Sequence, residues 1–418
     1  MHGAKAADAP VATPRSRLDE LDGLRALMAL WLVLVHAGQL SGLAEFDHPL
    51  ARLLLTGQTR VHVFMMLSGF VIGVLLLRDQ QRWTRFVRDR AARLFPVFLV
   101  ALALAVAIRP LQHQVYADAL WISQEMRETV LDRIDLETES LRAHILAHAL
   151  LLHGLVPEQW LPHSDIALLG PAWSLSVIWQ FYVVAMLLPL VFFRSRLAVV
   201  AWLALPGLFP AVQLLASLAE LSFGYATLAE HLPLFLIGMA TAWLLPVLRG
   251  LPVPTLRAVL GAGWAVAAIA GLVEEDRVGG LLLWLPLILW TLTFWAALDR
   301  EAVLARTGRA VLSFGLLKPV AVISYGLFLV HVPMLNLVAW SLGGTALEEA
   351  GPLAWCVVLT LLGGALSLLL AALLYRLVEL PADRWLRGRR PQPGSAIPRQ
   401  PEAMALRIPV TGRFGRLF

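Results

Sequence analysis

The sequence contains few charged residues, almost no lysine and a single cysteine. Charged residues make up 15% of the 418 positions and hydrophobic residues 59%, whereas soluble domains carry roughly 25% charged residues. These proportions exclude an ordinary soluble enzyme and a disordered chain. The lone Cys356 excludes a disulfide framework and a thiolate metal cluster.

Long apolar runs recur along the whole chain. About 20 helical residues cross the hydrocarbon core of a bilayer. The sequence therefore predicts an all-α, polytopic integral membrane protein with about ten spans. The predicted spans are 24–43, 60–77, 94–110, 171–193, 197–217, 232–248, 257–273, 279–297, 319–341 and 352–378.

The distribution of basic residues predicts the topology of these spans. With both termini on the cytoplasmic side, 27 of the 34 Lys and Arg residues lie inside, as the positive-inside rule requires. A further apolar segment, 143–156, is short for a span, and counting it as one would invert every later loop. We therefore interpret it as a re-entrant or interfacial helix on the outer side, within the outer stretch 111–170.

The ends of the chain differ in composition from the spans. Residues 1–17 predict a flexible cytoplasmic tail, 18–386 a membrane domain and 387–418 a basic cytoplasmic tail. A basic tail next to the membrane favours contact with anionic lipids. No feature of the sequence indicates nucleic-acid binding.

Two ionisable residues lie in the first span, where they are energetically costly and are functional candidates by default. Arg25 and His36 are eleven residues apart, so they share one helix face at a separation of about 16 Å. The alternative is that Arg25 reaches the interface with its long side chain and His36 packs as a satisfied polar group.

A second arginine pair precedes the third span. Arg90 and Arg93 have helical i,i+3 spacing in the basic loop 78–93 and can bind a phosphorylated ligand through charge-assisted hydrogen bonds. The alternative is an anchor on the cytoplasmic side. In the second span, the small pair Ser68 and Gly69 allows a neighbouring helix to approach closely.

Polar and aromatic residues recur in spans four and nine, and we expect them on the outer half of the membrane. They are Trp173, Ser174, Tyr182, Tyr325 and His331. The alternative is an aromatic belt with hydrogen bonds between helices. His144 and His148 have i,i+4 spacing, but no third ligand accompanies them, so we predict no metal site.

Taken together, these motifs resemble the membrane acyltransferase-3 family, which O-acylates cell-surface glycans and other acceptors. The similarity runs over about residues 18–386. It is carried by the following segments, in this order: Gly-Leu-Arg-Ala around Arg25 with His36; Phe-Met-Met-Leu-Ser-Gly-Phe-Val-Ile-Gly at 64–73; Arg90-x-x-Arg93 before Leu-Phe-Pro; Trp-Ser-Leu-Ser-Val at 173–177 with Gln-Phe-Tyr at 180–182; Leu-Phe-Leu-Ile-Gly-Met at 234–239; and Ser-Tyr-Gly-Leu-Phe-Leu-Val-His-Val-Pro at 324–333.

The resemblance implies a donor, an acceptor and a set of roles. Acyl-CoA, with acetyl-CoA as the expected form, would bind at Arg25, Arg90 and Arg93 and acylate a hydroxyl of a cell-surface or exported glycan. His36 would be the catalytic residue, either as a general base or through a transient acyl-histidine. The expected location is the plasma (inner) membrane of a bacterium.

The resemblance to the family is weaker at the residues expected to bind the acceptor or to orient His36. Trp173, Ser174, Tyr182, Tyr325 and His331 would contact the acceptor. His62 and Ile178 stand where relatives often carry an acid, so we expect another acid partner for His36. Glu45 and Asp47, just past the first span, are the nearest in sequence.

Two other functions remain compatible with the residues. A transporter or flippase would line its pathway with the same polar groups, although such proteins often show inverted repeats. A degenerate acyltransferase with a scaffolding role is the other alternative, because Ile178 replaces the usual acid.

Overall fold

The computed structural model describes residues 18–55, 58–78, 83–185, 211, 214–274, 276–345 and 351–388. Within these ranges the regular structure is helical and there is no strand. In the described part of the chain, eight helices are long and apolar enough to cross a membrane. The prediction of an all-α polytopic membrane protein is confirmed.

The helices follow the chain in a simple order. They are α1 (Asp19–Leu40), α2 (Pro49–Leu55), α3 (Gln58–Arg78), α4 (Trp83–Asp118), α5 (Gln124–Glu139), α6 (Leu141–Ala149), α7 (Trp173–Ala185), α8 (Leu228–Gly250), α9 (Val253–Val273), α10 (Arg277–Leu298), α11 (Val303–Leu312), α12 (Leu317–Leu342), α13 (Pro352–Val358), α14 (Gly364–Leu374) and α15 (Leu380–Gly388). The π-helical segments Leu359–Gly363 and Tyr375–Glu379 join α13, α14 and α15 into one rod.

Several predicted boundaries change in the structure. Helix α1 begins five residues before the predicted span, and α4 begins at Trp83, so Arg90 and Arg93 lie in a helix rather than a loop. Of the predicted span 171–193 only the part up to Ala185 is described, and most of 197–217, like the tails 1–17 and 389–418, lies outside the described residues.

Polar contacts define two ends of the helix bundle. At the end where α1 begins, here called the arginine end, ion pairs join neighbouring elements; they include Arg309–Glu20 at 3.4 Å, Lys318–Asp19 at 3.4 Å and Arg257–Asp299 at 2.6 Å. The contacts at the opposite end, here called the loop end, include Arg52–Asp276, the Glu45 carboxylate on the Ser123 amide, and Trp340–Gln114. The hydrogen bond from Arg257 holds the pKa of Asp299 well below its usual range.

Helices α3 and α8 pack with their backbones in close approach. A Cβ added at Gly69 would overlap the Phe235 carbonyl oxygen, and one added at Gly238 would overlap the Met66 carbonyl oxygen. Small residues on both helices therefore set this interface, as is usual between helices in membranes. The prediction that Gly69 permits close approach is confirmed.

We expect Gly238→Val to destabilise the protein, because an added side chain would force α3 and α8 apart. Overpacking of this kind costs about 1–3 kcal/mol, which lowers Tm by about 1–3 °C in a chain of this length. A thiol-reactive fluorescent dye that labels the buried Cys356 on unfolding measures Tm in detergent. Gly250→Ala is the control, since nothing lies within 4 Å of its added Cβ, and an equal Tm for both variants would contradict the close packing.

The segment 119–172 forms a cap over the loop end. Arg109 of α4 forms a buried ion pair with Glu137 of α5, whose carboxylate also accepts a hydrogen bond from the Leu168 amide at 3.2 Å. Helix α6 has nine residues, too few to span a bilayer. The interpretation of 143–156 as a segment that does not span therefore agrees with the structure.

Candidate active site

One cavity brings the three predicted arginines together near the arginine end. Its walls come from α1, α3, α4, α7, α12 and the rod that begins at Pro352. We call it the arginine cavity and define it by the polar side chains that line it: Arg25, Ser68, Arg90, Arg93, Ser174, Tyr182, Ser324, Tyr325 and Glu379. Residues distant in sequence thus form one site with an excess of positive charge.

Local helix geometry sets the direction of the arginines. Arg25 lies 3.7 Å from the Asp22 carboxylate, one turn earlier on α1. Arg90 and Arg93 are one turn apart on α4, and the Arg90 guanidinium lies 5.8 Å from the centre of the Phe86 ring. Because guanidinium groups present several donors in a fixed plane, this wall is suited to phosphate oxygens.

Three residues that we expected to contact the acceptor line the arginine cavity. Tyr182 and Tyr325 line it together with Ser174, and the Tyr325 hydroxyl donates to the Leu94 carbonyl oxygen at 2.7 Å. The structure therefore groups these three residues with the predicted donor arginines. Tyr325 lies eight residues after the start of α12 at the arginine end, about 12 Å along the helix.

Glu379 is the carboxylate among the described residues that line the arginine cavity, and the sequence analysis missed it. It ends the π-helical segment Tyr375–Glu379, and the charges of Arg93 and Arg25 act on it. Isolated π-helical turns frequently occur at functional sites. A glutamate at the end of a long apolar run was the signal that could have identified it.

The predicted acid partners lie elsewhere. Both carboxylate oxygens of Glu45 accept from the backbone amide of Ser123, at 3.1 and 3.2 Å, and Ser123 is the residue that caps the N-terminus of α5. Asp47 interacts electrostatically with Arg52. Neither residue is among the groups found to act on His36.

His36 faces His331 across the interface of α1 and α12. Their ring centres are 5.0 Å apart with a tilt of 47°, and we call these two residues the histidine pair. His331 has no exposed surface, and its Nδ1 lies 3.1 Å from the Leu327 carbonyl oxygen. Gln39, one turn further along α1, is exposed.

Aromatic side chains connect the arginine cavity with the histidine pair. Phe64 and Phe328 line the cavity and lie 6.0 Å apart, and the Phe328 ring lies 6.3 Å from that of His331. Tyr325, Phe328 and His331 follow one another at i,i+3 spacing along α12. The histidine pair therefore lies about two turns from Tyr325, farther from the arginine end.

Arg60 of α3 is a second residue that the sequence analysis missed. It is completely buried, its guanidinium lies 3.9 Å from the centre of the Trp31 ring, and Nη2 donates to the Leu54 carbonyl oxygen at 2.6 Å. Its charge acts on His36. An arginine within an apolar span was a detectable signal, but Arg60 begins the predicted span and resembles a flanking residue.

Trp173 belongs to a separate aromatic cluster. Its ring centre lies 4.8 Å from that of Tyr225 and 5.1 Å from that of His231, which lies 5.9 Å from the His62 ring. Burial raises the pKa of Tyr225, which lies before α8. The predicted acceptor residues thus divide between this cluster, the arginine cavity and the histidine pair.

The loop before α7 fixes the start of that helix. The Ser176 hydroxyl donates to the Leu151 carbonyl oxygen at 2.9 Å, and His153 Nε2 lies 3.1 Å from the Ala172 carbonyl oxygen. Burial lowers the pKa of His153 to about 4, so this ring is neutral at physiological pH. These bonds hold Trp173 and Ser174 in position.

His144 and His148 lie in α6, and His148 packs against the nearby His153. His148 stacks on His153 with ring centres 4.0 Å apart, and its Nδ1 lies 2.9 Å from the His144 carbonyl oxygen. In the described part of the chain, no group of three or more His, Cys, Asp or Glu residues could hold a metal ion.

Comparisons with known proteins identify the family. A family model described as an acyltransferase domain, that of the membrane acyltransferase-3 family, matches residues 18–376. A protein of Komagataeibacter xylinus named membrane-bound transacylase BcsY is 30% identical over 270 residues, which are 62% of this chain and 59% of that protein. The acyltransferase MdmB of Streptomyces mycarofaciens is 30% identical over 175 residues, 40% of this chain and 38% of that protein.

The similarity thus spans less than two thirds of either relative. No solved structure matches the chain. The family model, in contrast, includes α1 with Arg25 and His36, the arginines of α4 and all of α12. The chain therefore belongs to the membrane acyltransferase-3 family.

Proposed function

We propose that the protein transfers an acyl group, with acetyl as the expected one, from acyl-CoA to a hydroxyl of a cell-surface or exported glycan. The observation that carries this proposal is the arginine cavity with the histidine pair beyond it. Three guanidinium groups from α1 and α4 line one cavity, and a chain of aromatic contacts leads from it to His36.

The two ends of this arrangement have different chemistry. Acyl-CoA carries phosphate groups at one end and its thioester at the other, joined by the long pantetheine arm. Arg25, Arg90 and Arg93 supply the donors that phosphates require. His36, about 16 Å from Arg25 along α1, supplies the base that an acceptor hydroxyl requires.

In the proposed reaction, the acceptor hydroxyl attacks the thioester carbon while His36 takes its proton. The carbonyl oxygen becomes an oxyanion, the C–S bond then breaks, and the proton passes from His36 to the leaving thiolate. The products are the acyl ester and free CoA. Transfer through an acyl-histidine gives the same products but leaves a covalent intermediate when no acceptor is present.

Acceptor-dependent release of CoA thiol tests the proposal. The purified protein in lipid nanodiscs would receive acetyl-CoA and a panel of hydroxyl-bearing glycans, and both the thiol and the acylated product would be measured. We expect equal amounts of the two. Movement of a substrate across vesicles without any acyl ester would favour the transporter alternative, and absence of both would favour the scaffolding alternative.

The proposed donor site requires the arginine end to face the cytoplasm. We expect a cysteine at the exposed position Arg85 to be protected from a membrane-impermeant maleimide in intact cells, and one at Asp135 to be labelled. Glu137 is unsuitable as a probe because it is buried against Arg109. The native Cys356 is buried and adds little background, and labelling at position 85 would contradict this topology.

A further inference from the structure

We infer that His331 is a positioning residue that orients His36 and accepts its N–H, in the role that a carboxylate plays in other base dyads. This inference rests on the proposed acyl transfer and deepens it. It replaces an acceptor-binding role for His331 with a role inside the catalytic machinery.

The hydrogen bonds of His331 define its tautomer. A carbonyl oxygen only accepts hydrogen bonds, so the contact of Nδ1 with the Leu327 carbonyl at 3.1 Å requires the proton on Nδ1. Neutral His331 then has a lone pair on Nε2. The α12 backbone therefore presents His331 as an acceptor at that atom.

The Nε2 atom of His331 is buried and without a partner among the described residues. Leaving a buried acceptor unsatisfied costs about 1–3 kcal/mol. The facing group is the His36 ring, whose centre is 5.0 Å away. This separation lets facing ring edges form one N–H···N hydrogen bond, and catalytic hydrogen bonds often tighten only when substrate is bound.

The second nitrogen of His36 remains for chemistry. The exposed Gln39 lies one turn nearer the loop end on the same helix. We assign the acceptor hydroxyl to this side of the His36 ring. When His36 takes the hydroxyl proton, its other N–H donates to His331, and the positive charge is stabilised until the proton passes to the thiolate.

The structure also accounts for the lack of an acid partner. Glu45 accepts from the Ser123 amide and Glu379 lies in the arginine cavity, so the described residues give His36 an imidazole where other dyads have a carboxylate. An orienting third group is the general arrangement behind activated bases and nucleophiles.

Variants at position 331 separate hydrogen bonding from packing. His331→Phe keeps a ring of similar size but cannot accept a hydrogen bond, whereas His331→Gln can accept one but has no ring. We expect His331→Phe to lower kcat for acetyl transfer by about 10–100-fold, with the KM values of donor and acceptor within about threefold of wild type. Gln should recover most of this loss.

A second comparison tests whether His331 acts through His36. In a His36→Ala background, His331→Phe should change the residual rate by less than about twofold, because residues that act as a unit are not additive. His331→Phe and His36→Ala should each retain the Tm of the wild type in detergent.

Each remaining outcome overturns a defined statement. Near-normal kcat in His331→Phe, or a change confined to the KM of the acceptor, would refute the orienting role and leave acyl transfer intact. A wild-type protein that acylates no hydroxyl would refute the proposed function itself. If His331→Phe does not fold, the kcat of His331→Gln against that of His331→Ala decides, and equal loss in both refutes the inference.

Discussion

Replacement of His36 by alanine is expected to lower kcat for acyl transfer by about 10²–10⁴-fold, the range that general acid–base groups contribute. His36 is partly buried, faces His331 and lies beyond the aromatic contacts that lead from the arginine cavity. The KM for acetyl-CoA should change little, because the phosphate contacts are about 16 Å away along α1. Acceptor-dependent thiol release measures both constants.

The matched control for this variant is His113→Ala. His113 is 43% exposed near the loop end and lies 3.6 Å from Asp135, outside the proposed site. It should leave kcat unchanged, and both variants should reach the membrane in wild-type amounts. Near-normal turnover by His36→Ala would return this residue to a packing role.

A covalent route gives a further readout on the same residue. Mixing radiolabelled acetyl-CoA with protein in the absence of acceptor should label the wild type only if an acyl-histidine forms. A label that disappears in His36→Ala identifies the intermediate. Absence of label, together with normal transfer, supports His36 as a general base.

Helix positions were predictable from the sequence because long apolar runs are a strong signal, whereas helix ends were not. Helix α1 begins at Asp19, ahead of its apolar run, and carries Glu20 and Asp22 in its first turn, where acidic groups are stabilised by the helix dipole. Hydropathy does not detect such polar turns. The same reason explains why α4 extends from Trp83 to Asp118 beyond the predicted span.

Most residues of the site could be predicted from the sequence, but their spatial arrangement could not. The resemblance named Arg25, Arg90, Arg93 and His36, but only the structure groups the arginines with Tyr182, Tyr325 and Glu379. Arg60 and Glu379 were missed for one reason: each stands at the end of an apolar run, where charges usually mark the interface. Their burial depends on neighbouring helices, which no single segment reveals.

The position of Ile178 bears on the charge of the arginine cavity. It lines the arginine cavity, so a carboxylate at this position would lie among the arginines. The cavity already contains Glu379, whose charge interacts with those of Arg93 and Arg25. With Ile178 at this position, Glu379 is the carboxylate among the described residues that line the cavity. Under the proposed function, a phosphorylated donor therefore meets less repulsion there than it would with a second carboxylate.

Removal of Arg90 or Arg93 is expected to raise the KM for acetyl-CoA by about 10–100-fold, since hydrogen bonds to charged groups contribute about 1.5–3 kcal/mol each. Both residues line the arginine cavity, so the KM of the acceptor should not change. Arg88→Ala is the control on the same helix, because Arg88 is 69% exposed and lies 3.8 Å from Asp89.

A donor without phosphates shows which part of acetyl-CoA the arginines bind. S-acetylpantetheine keeps the thioester and the arm but has no phosphate, so wild type, Arg90→Ala and Arg93→Ala should use it with the same kcat/KM. The loss seen with acetyl-CoA would then belong to the phosphate contacts alone, as in a double-mutant cycle between protein and ligand. If the variants lose as much activity with S-acetylpantetheine as with acetyl-CoA, the arginines act on the fold or on the thioester. If only the KM of the acceptor rises, the arginine cavity is the acceptor site and the proposed orientation of the donor is wrong.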